Sequence, residues 1–168
     1  AQALGARMLA ERDWSETLTI RQITRLASHE VAAVREAAWA MVERQPDRMR
    51  QNPIDALTLL DADWDDARAF AVGYVRRTFG ADVWTPDLRV HVVDSTRPDV
   101  LACGQELIAQ FFDDGDGPTY LLKLSEHPAT GVQAFASAYL EAYAGGHLDR
   151  LRALVPYVRA VLGQVNRG

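Results

Sequence analysis

The fold of this 168-residue chain is restricted above all by an apolar pattern that recurs about every 33 residues. From Val34 to Val42, apolar or small side chains stand at i, i+3, i+4, i+7 and i+8, which is the spacing of one buried stripe on an α-helix. The stripe recurs at steps of 33, 33, 33 and 32 residues, starting at Ala1, Val34, Ala67, Val100 and Val132. Self-similarity with this period predicts stacked helical units.

One column of the stripe always holds a small residue. Its five members are Gly5, Ala38, Ala71, Gly104 and Ala136. A small side chain at a fixed position lets a neighbouring helix approach closely, while the larger flanking side chains fill the space at its sides. We therefore expect these five residues to be buried where helices come closest to each other.

A further series of apolar pairs predicts another helix between successive stripes. In each helix pair, this helix comes first along the chain and the helix that bears the stripe comes second. The pairs are Ile23/Leu26, Leu57/Leu60, Val90/Val93, Leu121/Leu124 and Leu151/Leu154. Thr85, Pro86 and Asp87 combine a capping hydroxyl, a first-turn proline and a first-turn acid, and Asn52-Pro53 repeats the first two of these signals. Turn residues at 45–47 are expected to separate the first two full units.

These patterns predict one all-α domain over residues 1–168, a right-handed α-solenoid of about four to five helix pairs. A lone second helix is expected at 1–12, full repeats at about 15–44, 52–79, 85–112 and 117–143, and a partial repeat at 148–168. No alternation with a period of two competes with the helical pattern. The array lacks obvious polar caps, which is typical of a fragment of a longer solenoid.

Composition and charge narrow the classes of function. The net charge is −5, whereas a protein whose main task is to bind phosphates is usually basic, so nucleic acid is not the expected partner. A single cysteine excludes an internal disulfide framework and a cysteine-based zinc site. No apolar run approaches the ~20 residues that span a bilayer, and residues 1–20 do not form a signal peptide. We therefore expect a cytoplasmic protein without membrane contact, and its arginine-rich, lysine-poor composition favours a bacterial source.

The sequence offers no catalytic residue, metal ligand or cofactor site. The aspartates around Trp64 and those at 113–116 fail the spacing of a calcium loop. None of the four histidines pairs with another at i+3 or i+4. Cys103 lies in a column of the stripe that is buried by pattern, where a thiol is inert. The expected cofactor content is none, and the chain is not expected to be an enzyme.

The stripe that begins at Val34 resembles the second helix of the HEAT-repeat family. The residues that carry the resemblance are Arg35, the small pair Ala37-Ala38 and Met41. An acid, Glu30, stands five residues before the arginine. The next unit matches partly, through Asp63 and Ala67-Arg68, whereas Leu101 and Gln133 replace the arginine later in the chain. The resemblance implies a solenoid that binds proteins, with an acid–arginine ladder between neighbouring repeats confined to the first half. It also extends to bacterial phycobilin lyases and to HEAT-like DNA alkylation glycosylases.

The second helices of such arrays usually line the concave binding face. The residues predicted to bind a protein or peptide partner there are Trp39, Arg35, Arg68, Val72 and Arg76, because tryptophan and arginine are frequent binding hot spots. Small residues at Ala40, Gly73 and Ala138 would form a shallow groove floor.

Alternative interpretations of the same residues stay open. Trp39 could instead pack against the next repeat, and Trp64, flanked by aspartates, is a candidate exposed aromatic residue. A nucleic-acid-binding or DNA-repair domain would use Arg35, Arg68, Arg76 and Arg77 to contact phosphates, joined by Arg44 and Arg48. A bilin lyase activity follows from the resemblance alone. The sequence does not identify the partner or the oligomeric state.

Overall fold

The computed structural model describes residue 14, residues 17–113, 123–125 and 127–156, and residue 159. Its helices are α1 (Ile20–Ala27), α2 (Ala32–Glu43), α3 (Pro46–Gln51), α4 (Pro53–Leu57), α5 (Asp65–Thr78), α6 (Pro86–Val93), α7 (Pro98–Phe111), α8 (Thr130–Ala144) and α9 (Leu148–Ala153), and a 3₁₀ turn covers Thr58–Asp61. No strand occurs within these ranges, so the all-α prediction is confirmed for them. Gly5 and the helix predicted at 1–12 lie outside the described residues.

Local capping chemistry explains where several helices begin. Thr19 and Gln22 form a reciprocal capping box at the start of α1, and the Thr85 hydroxyl accepts a hydrogen bond from the Leu88 N–H at the start of α6, as its sequence predicts.

The segment 45–47, predicted to be a turn, instead opens α3 with Pro46 as its first residue. Proline suits that position because its missing N–H would have no helical partner, and the fully buried Met49 anchors the short helix.

The column of small residues is buried wherever the structure describes it. Ala38, Ala71 and Ala136 are fully buried, and Gly104 is also buried. A Cβ atom added to Gly104 would lie 2.7 Å from a Val93 methyl carbon and 2.8 Å from the Val93 backbone nitrogen. The glycine therefore allows α7 to lie directly against the backbone of α6, as the sequence predicts for this column.

In the units that the structure describes in full, the first helix packs on the following second helix, as α1 does on α2 and α6 on α7, while α5 contacts both α2 and α7. A chain of aromatic rings crosses these units, with successive centroids 4.9 to 6.5 Å apart. Its members are Trp39, Phe70, Tyr74, Phe79, Trp84 and Phe111. One apolar core thus extends from α1 to α7, and a second, around α8, extends from Val93 to Leu154.

Candidate binding surface and its arginine rungs

Polar side-chain contacts join residues that are about one repeat apart in the sequence. In the described part of the chain, seven pairs of ionisable side chains are separated by 30 to 36 residues. The pairs are Arg35–Asp66, Arg68–Asp99, Arg76–Glu106, Arg77–Glu43, Arg97–Asp63, Lys123–Asp87 and His127–Asp94. Two hydroxyl contacts, Thr58 to Thr24 and Tyr74 to the Val42 carbonyl, span similar distances along the chain. Each unit is therefore bonded to the next by side chains.

The first buried arginine, Arg35, is only 6% exposed and belongs to α2. Its Nη1 donates hydrogen bonds to the carbonyl oxygens of His29 and Glu30, at 2.8 and 2.9 Å, and its Nη2 donates to Asp66 Oδ2 of α5 at 2.5 Å. The Trp64 ring lies against the guanidinium, with its centroid 5.0 Å away. Arg35 Nε is buried and has no hydrogen-bond partner among the described residues. We refer to this set of contacts as the Arg35 rung.

The Arg68 rung repeats this arrangement one unit later. Arg68 is 7% exposed, and its Nη1 donates to the carbonyl oxygens of Ala62 and Asp63 at 2.9 and 3.0 Å. Its Nε donates to Asp99 Oδ2 of α7 at 2.8 Å, and its Nη2 donates to Asp65 of its own helix. The hydrogen bond to Asp99 is the main reason that the pKa of Arg68 is raised above its ordinary value. All three nitrogens of this guanidinium are thus paired.

The two acids that connect neighbouring units are held in their ionised form. The hydrogen bond from Arg35 is the main cause that lowers the pKa of Asp66. Burial alone would raise the pKa of Asp99, but the hydrogen bonds from Arg68 and from the Val100 N–H outweigh it, so this pKa is lowered as well. Each carboxylate also accepts the N–H of the next residue at the start of its helix, where a negative charge is favourable.

The acids that form the ladder differ from those expected. Glu30 and Asp63, five residues before each arginine, contribute backbone carbonyls to the guanidinium, whereas the carboxylates that Arg35 and Arg68 bind in the next unit are Asp66 and Asp99. The carbonyls at i−5 and i−6 lie in the turn that precedes each second helix, within reach of an arginine that folds back along that helix. The ladder is confined to the first half, as expected.

The ladder ends where both of its members are replaced. Leu101 stands one repeat after Arg68, and Gly131 stands one repeat after Asp99. Gln133 takes the arginine position of α8 and donates to the His127 carbonyl at 2.7 Å, the same i−6 contact that the arginines make. The carbonyl contact of the turn is therefore kept in this unit without an ionic bond.

The structure places the five predicted partner-binding residues in different environments. Arg35 and Arg68 are buried in their rungs, and Val72 is half-buried against the core. Trp39 is also half-buried: its Nε1 donates to the Ala27 carbonyl at 3.0 Å, and its ring stacks on Phe70 with 4.9 Å between centroids. Arg76 is exposed and pairs with Glu106. The packing alternative for Trp39 is thus what the structure shows, and Arg76 is the most accessible of the five.

The second helices expose equivalent positions on one side, which we call the second-helix face. One row of equivalent positions holds Glu36, Ala69, Ala102 and Ala134, and the next holds Ala40, Gly73, Glu106 and Ala138, with Arg76 beside them, so that small residues are in the majority. The predicted floor residues Ala40 and Gly73 are half-buried, while Ala138 is exposed. Trp64, the candidate exposed aromatic residue, is 42% exposed immediately before α5. Small side chains bordered by ion pairs form a surface that a partner backbone can approach closely.

A wide cleft of about 570 Å³ lies beside α1 and was not expected from the sequence. Its lining includes Arg21 and Arg25, which form no ion pair within the described part of the chain, and the hydroxyls of Thr24 and Thr58, which are 2.9 Å apart and bonded to each other. Short polar residues scattered between a helix and a 3₁₀ turn leave no periodic signal, so sequence reasoning could not find this cleft.

Features that would indicate a known activity are not seen in the described part of the chain. Cys103 is fully buried, and burial raises the pKa of its thiol, as its column predicts. No group of three or more histidine, cysteine or acidic side chains in the described ranges could hold a metal ion. Among the same residues, no helix combines the length and apolar character needed to cross a bilayer. Comparison of the chain with protein-family models, curated proteins and solved structures finds no match.

Proposed function

We propose that this chain is a HEAT-like, right-handed α-solenoid that acts as a protein interaction module and has no catalytic activity of its own. The pairing of side chains one repeat apart supports the solenoid, because stacked units contact mainly their immediate neighbours. The partner, a protein or peptide, binds along the second-helix face. The observation that carries this proposal is the alignment of exposed alanines, Ala69, Ala102 and Ala134, at equivalent positions of α5, α7 and α8.

The contacts around this face suit a binding role. The arginine rungs and the stacked pair Trp39–Phe70 hold neighbouring second helices together, so little flexibility is lost when a partner binds. The exposed part of Arg76 and the half-buried Val72 lie on the side that a partner would meet. Of the five residues predicted from the sequence, we therefore propose direct contact for Arg76 and Val72 and a supporting role for Trp39, Arg35 and Arg68.

A double variant of the face tests this proposal. Ala69→Glu with Ala102→Glu adds two charges and two bulky side chains to exposed positions, and should remove the partner without unfolding the protein. The matched control is Ala81→Glu with Ala153→Glu, which adds the same charges at exposed positions off the face. Proteins captured from source cells are quantified for the parent chain and for both variants.

We expect specific proteins to be recovered by the parent and by the control but lost with the face variant. Equal recovery with the face variant, at an unchanged melting temperature, would contradict binding along this face.

Nucleic-acid binding is less well supported. The four arginines that would contact phosphates are each paired with a carboxylate in the structure, and the pairs are Arg35–Asp66, Arg68–Asp99, Arg76–Glu106 and Arg77–Glu43. Phosphates would have to displace these acids. A titration with duplex DNA at two salt concentrations is expected to show no binding that weakens steeply as salt rises.

A further inference from the structure

The two arginine rungs differ by one carboxylate. Both guanidiniums donate to two backbone carbonyls and to an aspartate of the next unit. Arg68 has a second carboxylate, Asp65, whereas Arg35 has no second acid and keeps a buried Nε without a hydrogen-bond partner among the residues that the structure describes. A buried polar nitrogen that lacks a partner is costly, so the Arg35 rung is chemically incomplete.

The missing acid has a definite place in the fold. Asp65 stands three residues before Arg68, and the residue three before Arg35 is Ala32, which is exposed at the start of α2. The first turn of α2 contains no acid, and its N-cap Val31 makes no side-chain hydrogen bond. The Arg35 guanidinium lies at this same end, since its Nη1 is bonded to the carbonyls of the two residues before Val31. A helix N-terminus and a cation therefore coincide without the second anion found one unit later.

We propose that the N-terminal end of α2 is a docking pocket for an acidic side chain of the protein partner. The incoming carboxylate lies beside Ala32 and pairs with Arg35 Nη2, in the place that Asp65 occupies beside Arg68. Asp66 moves from Nη2 to the free Nε, which reproduces the arrangement of Arg68 with its own two acids. This inference rests on the proposed function, because it assigns a chemistry to the partner of the second-helix face, and it gives Arg35 a direct contact with that partner in addition to its supporting role.

The Arg68 rung itself indicates why the occupant is a carboxylate. The same guanidinium environment, built on the same pair of carbonyls, accepts an aspartate there. The Asp65 side chain is 96% exposed, so the equivalent place beside Ala32 can be reached from solvent by a side chain of another molecule. The exposed Trp64 ring next to Arg35 offers an apolar wall for the methylene groups of that side chain.

Nuclear magnetic resonance of the full chain tests the pocket directly. The probe is a short, end-blocked peptide with two adjacent glutamates, and its control is the same peptide with two glutamines. The signals to follow are the Nε–H group of Arg35 and the backbone N–H of Ala32, with the Nε–H of Arg68 as an internal reference. Ala32→Asp supplies the acid within the chain, and Ala81→Asp places the same charge at the exposed turn between α5 and α6.

We expect the glutamate peptide to shift the Arg35 and Ala32 signals saturably and to leave Arg68 unchanged. Binding should weaken at least about tenfold in Ala32→Asp, the loss expected for one charge-assisted hydrogen bond, and should persist in Ala81→Asp. Equal shifts with the glutamine peptide, or an equal response to inorganic phosphate, would overturn the assignment to a carboxylate, and so would the absence of any shift.

The two proposals fail in different ways. If the glutamate peptide leaves Arg35 unchanged while Ala69→Glu with Ala102→Glu still abolishes partner recovery, the pocket is wrong and the interaction module stands. If the peptide binds beside Ala32 but the face variant recovers its partners normally, the pocket stands and the second-helix face is wrong.

Discussion

The first and second halves of this molecule hold similar helices together by different means. Between α2, α5 and α7, buried arginines bind the aspartates of the next unit. Between α7 and α8 the ladder is absent, and the contacts there include Phe112, which packs on Tyr139 and Tyr143 with ring centroids 4.9 and 5.3 Å away. Both halves have apolar cores, and the second half keeps the ion pairs Lys123–Asp87 and His127–Asp94, but only the first half has buried arginine rungs. The two halves should therefore respond differently to the loss of a buried charge and to pH.

Removal of an arginine from the ladder should have the largest effect. Arg68→Leu leaves two carboxylates and two carbonyls without their donor, because the guanidinium pairs with all four groups. Arg35→Leu leaves one carboxylate and two carbonyls, so its cost should be smaller. Gln133→Leu, in the second half, removes one hydrogen bond and should cost only about 1 kcal/mol. Urea unfolding of the three variants measures this order, and a greater loss from Gln133→Leu would contradict it.

An added methyl group should lower the stability of the protein where α7 lies against α6, but not at an exposed position of α8. Gly104→Ala places a Cβ within 2.8 Å of the Val93 backbone nitrogen, which cannot move without shifting α6. Overpacking of this kind costs about 1–3 kcal/mol. The exposed Gly131→Ala serves as the control, since a Cβ added there meets no atom within 4 Å. Thermal unfolding should show a lower midpoint for Gly104→Ala alone, and equal midpoints for the two variants would refute the close contact.

Acid should weaken the first half before the second. The pKa values of Asp66 and Asp99 are lower in the folded protein than in the unfolded chain, so the unfolded chain takes up protons more readily. Their contribution to stability is present above the ordinary carboxyl pKa, about 4, and is lost as the pH falls through the lowered folded values. Hydrogen exchange measured at decreasing pH should therefore accelerate in α5 and α7 before it does in α8. The Asp66→Asn and Asp99→Asn double variant should reduce that difference.

Addition of the absent acid should have the smallest effect, and a stabilising one. Ala32→Asp places a carboxylate at the start of α2 within reach of Arg35, and an acid in a first turn typically contributes about 0.3–1 kcal/mol. Asp65→Ala makes the reciprocal change and should render the Arg68 rung similar to the Arg35 rung. Urea midpoints that move in opposite directions would confirm the equivalence of the two rungs, whereas a destabilised Ala32→Asp would contradict it.

Periodicity predicted the helical stripes and their buried residues because burial follows the helical period. The small column at Ala38, Ala71, Gly104 and Ala136 and the buried Cys103 were both predictable in this way. The acids of the ladder were not, since an arginine side chain is long enough to reach either its own turn or the next helix, and spacing alone does not distinguish them. The structure also shows Trp39 against Phe70, although its helical position is compatible with either packing or exposure.

A double-mutant cycle between Arg68 and Asp99 tests most directly the claim that buried ionic rungs bind neighbouring units. The free energy of unfolding is measured for the parent, Arg68→Leu, Asp99→Asn and the double variant, with the Gln133→Leu and Asp99→Asn combination as an unlinked control. If the rung acts as proposed, the double variant of Arg68 and Asp99 should lose much less stability than the two single losses combined. The losses of the control pair should be additive. Additive losses for Arg68 and Asp99 would mean that the two side chains do not act together and that this rung does not bind its two units to each other.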